Sequence, residues 1–438
     1  MSGNLKKLML DLNVIFQGCV EKKARGGVFW TEYEILKEFL RNHSDKFEFY
    51  ADCVCTEDYY NNVLLKEFPE FKSIKYVDIL SPCSRFQETV IFYVKLFKFK
   101  KNSTKNFFKR AFYFFATSLF RFSKIFKVLF SKKVNNSFEI DYYQTFMGTT
   151  GLSKDIQDND RIKKYAFIYD VMPITNPEYF FKKNKIKKSV TSFSKKMKTL
   201  RKDTIIFSDS INAKDEFIKV FPEYSDNKII INYLAADKNK FYPNSNIDKN
   251  ILSNYKIPTD KKYILSLSSL NKRKNLSFLV DSFVDFLDSN KNIDDLYLVL
   301  AGPGGWLMDE MLNSIKNAKA YKDKIILTGF VDQKDINTLY NGAFCFIFPS
   351  LAEGFGLPVL EAMQCGIPTI SSNTTSLPEV YGDAAIGINP TKKEELIKAI
   401  GNLYLDEQLR KKLSNNGLER STKFNWKNAV DIMVAEYK

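Results

Sequence analysis

The sequence predicts an α/β protein built on parallel sheets, and three observations lead there. Short apolar runs alternate with amphipathic segments through the C-terminal half. The same rhythm, with one large interruption, runs through the N-terminal half. A polar stretch, Asp237–Pro258, marked by Pro243 and Pro258, separates the two. Alternating strands and helices build parallel α/β sheets, and prolines in polar surroundings punctuate such units. A chain of 438 residues is long enough for two such domains.

The elements follow in order. In the N-terminal half Lys7–Ile15 reads as a first strand, Thr31–Arg41 as a helix and Phe47–Cys53 as a strand. Tyr165–Tyr169 and Thr204–Phe207 read as later strands. In the C-terminal half the strands are Tyr263–Leu267, Leu296–Ala301, Lys324–Leu327, Phe344–Phe348 and Pro368–Ser371. Amphipathic Leu276–Leu287 and Lys334–Tyr340 fall between them. The last segment, Phe424 through Tyr437, is amphipathic as well. Domains are therefore expected over 1–240 and 241–420, with a final helix in 421–438. The sequence contains no internal repeat.

Composition narrows the chemistry. A hydrophobic content of 45% is that of a globular protein. The net charge of +15 suits a polyanionic ligand or an acidic membrane surface, and a proteome rich in Lys, Asn and Phe would give the same balance. Six cysteines lie scattered, and Cys53-Val54-Cys55 lacks zinc-knuckle spacing. Cys345 and Cys365 fall in apolar elements and read as core thiols in a reducing cytoplasm. No signal peptide and no membrane-spanning run is expected. The single histidine, His43, ends a predicted helix and is expected in solvent. One histidine excludes serine-triad hydrolysis and His-rich metal sites.

The most informative stretch is Glu353-Gly354-Phe355-Gly356-Leu357-Pro358-Val359-Leu360-Glu361-Ala362-Met363. It joins the strand Phe344–Phe348 to a short helix that stops at Gly366. Backbone N–H groups at a helix start are unpaired and attract phosphate. Gly354 and Gly356 allow close approach to the main chain, and Pro358 suits a first turn. Glu361, in that first turn, can accept hydrogen bonds from ribose hydroxyls, and Glu353 can grip a second set of hydroxyls. A phosphate-friendly helix start between two hydroxyl-binding carboxylates describes a nucleotide-sugar site. The same pattern also suits a plain strand–turn–helix unit with a glutamate at each end.

This stretch resembles the E-x7-E motif of retaining GT-B glycosyltransferases of family 4. The resemblance implies two Rossmann-like domains facing an interdomain cleft. It implies that Glu353 and the amides of Gly354, Phe355, Gly356 and Leu357 hold the donor sugar, while Glu361 binds ribose. Ser268-Ser269-Leu270-Asn271-Lys272-Arg273-Lys274-Asn275-Leu276 resembles the family's G-x-L-x-x-R-K-N-L motif, with Ser268 in place of the usual glycine. There Arg273 and Lys274 are expected to hold the donor diphosphate and the charge that grows on it as the glycosidic bond breaks. Arg25-Gly26-Gly27-Val28 is similar to the family's N-terminal glycine loop, and Thr328-Gly329-Phe330-Val331 to the loop whose main chain faces the base. Leu377-Pro378-Glu379-Val380 resembles the loop that follows it. Tyr169-Asp170-Val171-Met172-Pro173 resembles the H-D-x-x-P segment, with Tyr169 in place of histidine. That moves attention to Asp170 as a catalytic group beside Lys274 and Glu353. As a plain residue, Asp170 is a strand-end carboxylate capping its own loop.

Asp158-Asn159-Asp160 has a D-x-D pattern, but it sits in a polar loop far from the donor motifs, and no metal or other cofactor is expected. Between Arg85 and Lys133 cations interleave with phenylalanines and Glu88 is the only acid. This insertion (85–133) can lie in a membrane interface or pack on the sheet as an ordinary helix. Nucleic acid is not expected, because no recognition module accompanies it.

The expected function is retaining transfer of a hexose, mannose favoured, from a nucleoside diphosphate sugar. GDP-mannose is the favoured donor, by the resemblance alone. The expected acceptor is a growing lipid-linked surface glycan such as O-antigen or capsule, met at the inner face of the cell membrane. The alternatives are a soluble or sugar-phosphate acceptor, and a non-catalytic membrane-associated scaffold with the same fold.

Overall fold

The structure, a computed structural model, describes residues 5–20, 25–53, 57–77, 139–147, 151–152, 154–305 and 308–438. The basic aromatic insertion 85–133 therefore lies outside the described residues. The chain divides into two compact units. One comprises 1–167, 198–206 and 437–438, the other 168–197 and 207–436.

In the first unit β1 (Lys6–Asp11) pairs in parallel with β2 (Phe47–Asp52) and β4 (Tyr142–Phe146). β3 (Lys75–Tyr76) lies beside β2, and β5 (Lys163–Ile168) beside β4. With β6 (Ile205–Ser208) and β7 (Ile229–Ile231), the strand order is β3-β2-β1-β4-β5-β6-β7. Helices α1 (Asn13–Val20) and α2 (Gly27–Asn42) follow β1.

The expected first strand, Lys7–Ile15, is half strand and half helix. The strand stops at Asp11, whose carboxylate accepts from the Asn13 backbone and side-chain N–H groups at 3.1 and 2.7 Å. That local bond turns the chain into α1, which an unbroken apolar run conceals. His43 also departs from expectation. It is 5% exposed, because α2 carries its ring against Phe39, with centroids 6.4 Å apart. Tyr437 is buried among Phe39, Phe47, Tyr142 and Tyr165, and its hydroxyl donates to Gln144 Oε1 at 2.8 Å.

The second unit begins with α3 (Met172–Thr175), α4 (Ile186–Met197) and α5 (Ile211–Val220). Its six-stranded sheet has the order β10-β9-β8-β11-β12-β13. The strands are β8 (Lys262–Leu267), β9 (Leu296–Ala301), β10 (Ile325–Gly329), β11 (Cys345–Phe348), β12 (Thr369–Ser372) and β13 (Ala385–Ile388). Every pairing in it is parallel. Parallel strands are covered on both faces, so they read as continuous apolar runs. Helices α6 (Leu276–Ser289), α7 (Asp309–Asn317), α8 (Ile336–Gly342) and α9 (Leu357–Gln364) alternate with these strands. α10 (Leu377–Tyr381), α11 (Lys393–Leu405), α12 (Glu407–Ser421) and α13 (Trp426–Glu436) complete the unit. Phe283 and Phe286 of α6 and Leu403 of α11 pack on Ile264, Leu298 and Ile347 of the sheet. Cys345 and Cys365 are buried free thiols, as expected.

The strand order reverses between β8 and β11. In open parallel sheets the loops at the carboxyl ends on either side of such a reversal splay apart and leave a crevice for ligand. The loop after β8 carries Arg273 and Lys274, and the loop after β11 carries Glu353.

Candidate active site

The three residues converge although 79 positions separate Lys274 from Glu353. A single turn, Lys272–Lys274, follows β8, and Asn275 leaves it in the left-handed region at φ 56°. Asparagine tolerates that conformation better than most residues. The turn is tied to the β11 loop: Leu351 N donates to the Arg273 carbonyl at 2.9 Å and Ser350 Oγ to the same oxygen at 3.1 Å. Lys274 Nζ then lies 2.6 Å from Glu353 Oε1, and Arg273 Nη1 lies 2.6 Å from Glu353 Oε2. Ser350 Oγ, whose one proton the two acceptors share, also lies 2.6 Å from Oε1. Glu353 and Lys274 are 8% and 7% exposed.

Burial alone would raise the Glu353 carboxyl. The two cations overcome it and hold the group down at about 2. Burial and the like charge of Arg273 push the Lys274 ammonium down to about 8, against the pull of Glu353. Lys274 also sits 4.6 Å from the Phe348 ring centroid. The cluster is thus a pre-formed pair of cations gripped by one carboxylate. The charge of Asp170 also acts on both cations.

Both glycines are crowded by the protein's own atoms. Gly354 has no room for a side chain: a Cβ there would lie 2.8 Å from the Tyr169 carbonyl, 3.2 Å from Asp170 Oδ2 and 3.3 Å from Asp209 Oδ2. Ser210 Oγ donates to its carbonyl at 2.7 Å. Gly356 has φ 113° and precedes α9, with Pro358 in the first turn. Phe355 is buried against Tyr233 and Phe424, so its backbone rather than its ring is available to a ligand.

Glu361 sits one turn into α9. It accepts a hydrogen bond of 2.8 Å from the Tyr340 hydroxyl on Oε2. Burial raises its carboxyl to about 7, and the Tyr340 bond works against that rise. Burial likewise raises Asp170, with Arg273 opposing it.

Sequence reasoning missed Asp209. It is 2% exposed, its Oδ1 has no hydrogen-bond partner, and burial and the charge of Asp170 push it well above the usual carboxylate range. Its signal was available: Ser208-Asp209-Ser210 directly follows the apolar run Thr204–Phe207, at a strand's carboxyl end.

The remaining expected site residues are placed as follows. Ser268 N donates to the Ala301 carbonyl at 2.9 Å, and Ser268 O occupies the space where a Cβ on Gly302 would fall, which explains glycine at 302 with φ 132°. Val331 is buried just after β10. Gly26 and Gly27 belong to the first unit: Gly26 is extended at the start of α2, with no neighbouring atom within 4 Å of a built Cβ. Asp158 and Asp160 are exposed in the turn before β5. Glu379 caps α5, accepting from the Ile211 and Asn212 amides at 2.8 Å each.

Residues 248–420 match the family model described as glycosyl transferases group 1. The chain is 29% identical over 271 residues to O-antigen chain mannosyltransferase B of Escherichia coli, covering 62% of this chain and 68% of that one. It is 30% identical over 286 residues to the serotype-specific mannosyltransferase WbdA of the same species, covering 63% of this chain and only 33% of WbdA. Among solved structures it resembles Anabaena HepE, crystallised with UDP and glucose, at a TM-score of 0.63 and 14% identity, over 98% of each chain. The fold is GT-B, with two Rossmann-like parallel sheets.

Proposed function

We propose, for a chain whose residues 248–420 belong to the group 1 glycosyltransferases, that it transfers a hexose from a nucleoside diphosphate sugar with retention of configuration. Mannose from GDP-mannose is the favoured donor, because the O-antigen enzymes it resembles are mannosyltransferases. The acceptor is a growing lipid-linked glycan such as O-antigen or capsule, met at the inner face of the membrane. Among the described residues no helix is long and apolar enough to cross a membrane.

The observation that carries this reading is the buried Arg273–Lys274–Glu353 cluster beside the glycine-flanked start of α9. The two cations take the donor diphosphate, with Gly354, Phe355, Gly356 and Leu357 offering backbone amides. Lys274 gains most as charge builds on the leaving diphosphate. This supplies the electrostatic role a metal would otherwise play, so no metal is required. Glu361 holds the ribose, Val331 and its neighbours face the base, and Ser268 leaves room for the phosphates. Asp170 and Glu353 orient the sugar.

A thermal-shift screen of the whole chain against GDP-, UDP- and dTDP-sugars tests the proposal, since a ligand that binds only the folded state raises its melting temperature. One nucleotide class should stabilise the protein, and Glu361→Ala should weaken that ligand by roughly 1.5–3 kcal/mol. No shift with any nucleotide sugar overturns the reading.

A further inference from the structure

The proposed transfer gives Asp209 no task. The residue lies in the second unit, between the end of β6 and the start of α5. It is 2% exposed, and its Oδ1 has no hydrogen-bond partner. Asp170, Glu353 and Gly354 line a cavity of this unit, and Asp209 stands behind them, outside the lining. Its Oδ2 and the Oδ2 of Asp170 converge on Gly354, 3.3 and 3.2 Å from the point a Cβ would take there.

Both acids are held. The Met172 amide donates to Asp170 Oδ1 at 3.0 Å, which leaves Oδ2 on the Gly354 side. Beside Asp209, Ser210 Oγ donates to the Gly354 carbonyl at 2.7 Å, and the Ala213 amide donates to that Oγ at 3.0 Å. The charges that bear on Asp209 are negative: Asp170 after β5, Glu379 on α10 and Glu353 after β11. Glu379 is engaged by the Ile211 and Asn212 amides, and Glu353 by Arg273 and Lys274. Those two cations also act on Asp170, whereas among the described residues no ion pair includes Asp209. An ionised carboxyl buried without a cation is costly, so Asp209 is the member of this group that carries a proton. In that form a carboxyl donates as well as accepts.

We propose that Asp209 is a positioning residue for the transfer: a neutral acid that lends its proton to Asp170 Oδ2 and so fixes the carboxylate at the cavity wall. The inference rests on the glycosyltransferase reading, and it supplies what keeps Asp170 in one orientation there. Asp209 itself touches no substrate. Two acids so placed titrate as a pair, so the effect ends when the pair gives up its shared proton.

Two variants of the full chain separate the proton from the bulk of the side chain. With GDP-mannose as donor and methyl α-mannoside as acceptor, Asp209→Ala should lower kcat about tenfold or more with KM little changed. Asp209→Asn keeps a donor in place and should recover most of that loss, in proteins whose melting temperatures stay near that of the parent. The parent's kcat should fall on the alkaline side, where Asp209→Asn stays flat. Equal losses in both variants, no loss in either, or identical pH profiles for the parent and Asp209→Asn overturn the inference. The proton is also read without turnover, by carbon-detected NMR of the full chain labelled at its aspartate carboxyls. The signal that Asp209→Asn removes should titrate well above the usual carboxylate range, and Asp170→Asn should lower its midpoint. Titration of that signal in the ordinary aspartate range overturns the inference whatever the kinetics show. If the chain neither binds nor turns over a nucleotide sugar, the transferase reading falls, and the NMR arm alone judges Asp209.

Discussion

Glu353 and Glu361 stand eight residues apart in one motif, the first buried and the second half-buried, yet their surroundings drive them in opposite directions. Glu353 meets two cations at 2.6 Å and is held at about 2. Glu361 meets a phenol and the weaker pull of Lys240, and burial raises it to about 7. One end of the motif is therefore a fixed charge and the other a group that titrates near neutrality. Burial sets the direction for a lone carboxylate, and a partner within hydrogen-bond distance reverses it.

The comparison breaks most visibly at Glu353. Glu353→Ala leaves Arg273 and Lys274 buried without their shared anion. Losing one member of a buried ion cluster costs about 3–5 kcal/mol. Urea unfolding should show a loss of that size, partly recovered by saturating nucleoside diphosphate, which supplies replacement anions. A loss below 1 kcal/mol would mean that solvent reaches the cluster.

Next in size is Lys274→Ala. If charge grows on the diphosphate during reaction, kcat should fall roughly 100-fold or more with KM little changed. A raised KM at unchanged kcat would make Lys274 a ground-state binder only.

Glu361→Gln sharpens the contrast through pH. The folded carboxyl lies near 7, above its unfolded value near 4.5, so the stability it contributes is full below pH 4.5 and is lost as pH rises through 7. Glu353 runs the other way, contributing above pH 4.5 and losing that stability as pH falls through about 2. A glutamine at 361 cannot ionise, so the variant should gain on the parent protein by up to about 3 kcal/mol between pH 5 and pH 8. Parallel stability curves for the two proteins would show that Glu361 titrates normally.

The smallest effect is expected from Tyr340→Phe. Its hydroxyl donates to Glu361 Oε2 and favours the ionised form. Removing it should cost about 1 kcal/mol and raise the Glu361 carboxyl further. Affinity for nucleoside diphosphate, measured calorimetrically, should then drop a few-fold at pH 7 and recover by pH 9. An equal drop at both pH values would assign the hydroxyl to packing alone.

Local features were legible in advance, and long-range ones were not. The apolar runs placed five strands of the second sheet to within a residue or two and missed β13, and the glycines placed the start of α9. The strand rhythm even pointed to loops at carboxyl ends. Two things stayed hidden. No spacing rule says that Lys274 and Arg273 should clasp Glu353, because that contact depends on β8 and β11 being neighbours in space. Asp209 was passed over because a lone acid after a strand carries no pattern of its own; only its approach to Gly354 and Asp170 singles it out. His43 misled for a simpler reason. A helix end is usually wet, but here α2 ends against the aromatic cluster that includes Tyr437.

That aromatic cluster has a consequence for biosynthesis. Four of the rings around Tyr437 belong to residues 39–165, whereas Tyr437 itself follows α13. A ribosome delivers the four rings long before the fifth. Until Tyr437 emerges, the first unit holds an aromatic socket open to water, with Gln144 lacking its hydroxyl donor. The N-terminal unit thus cannot reach its final packing until residue 437 has been made. Its exposed rings are surface that a chaperone would hold and that premature termination would leave sticky.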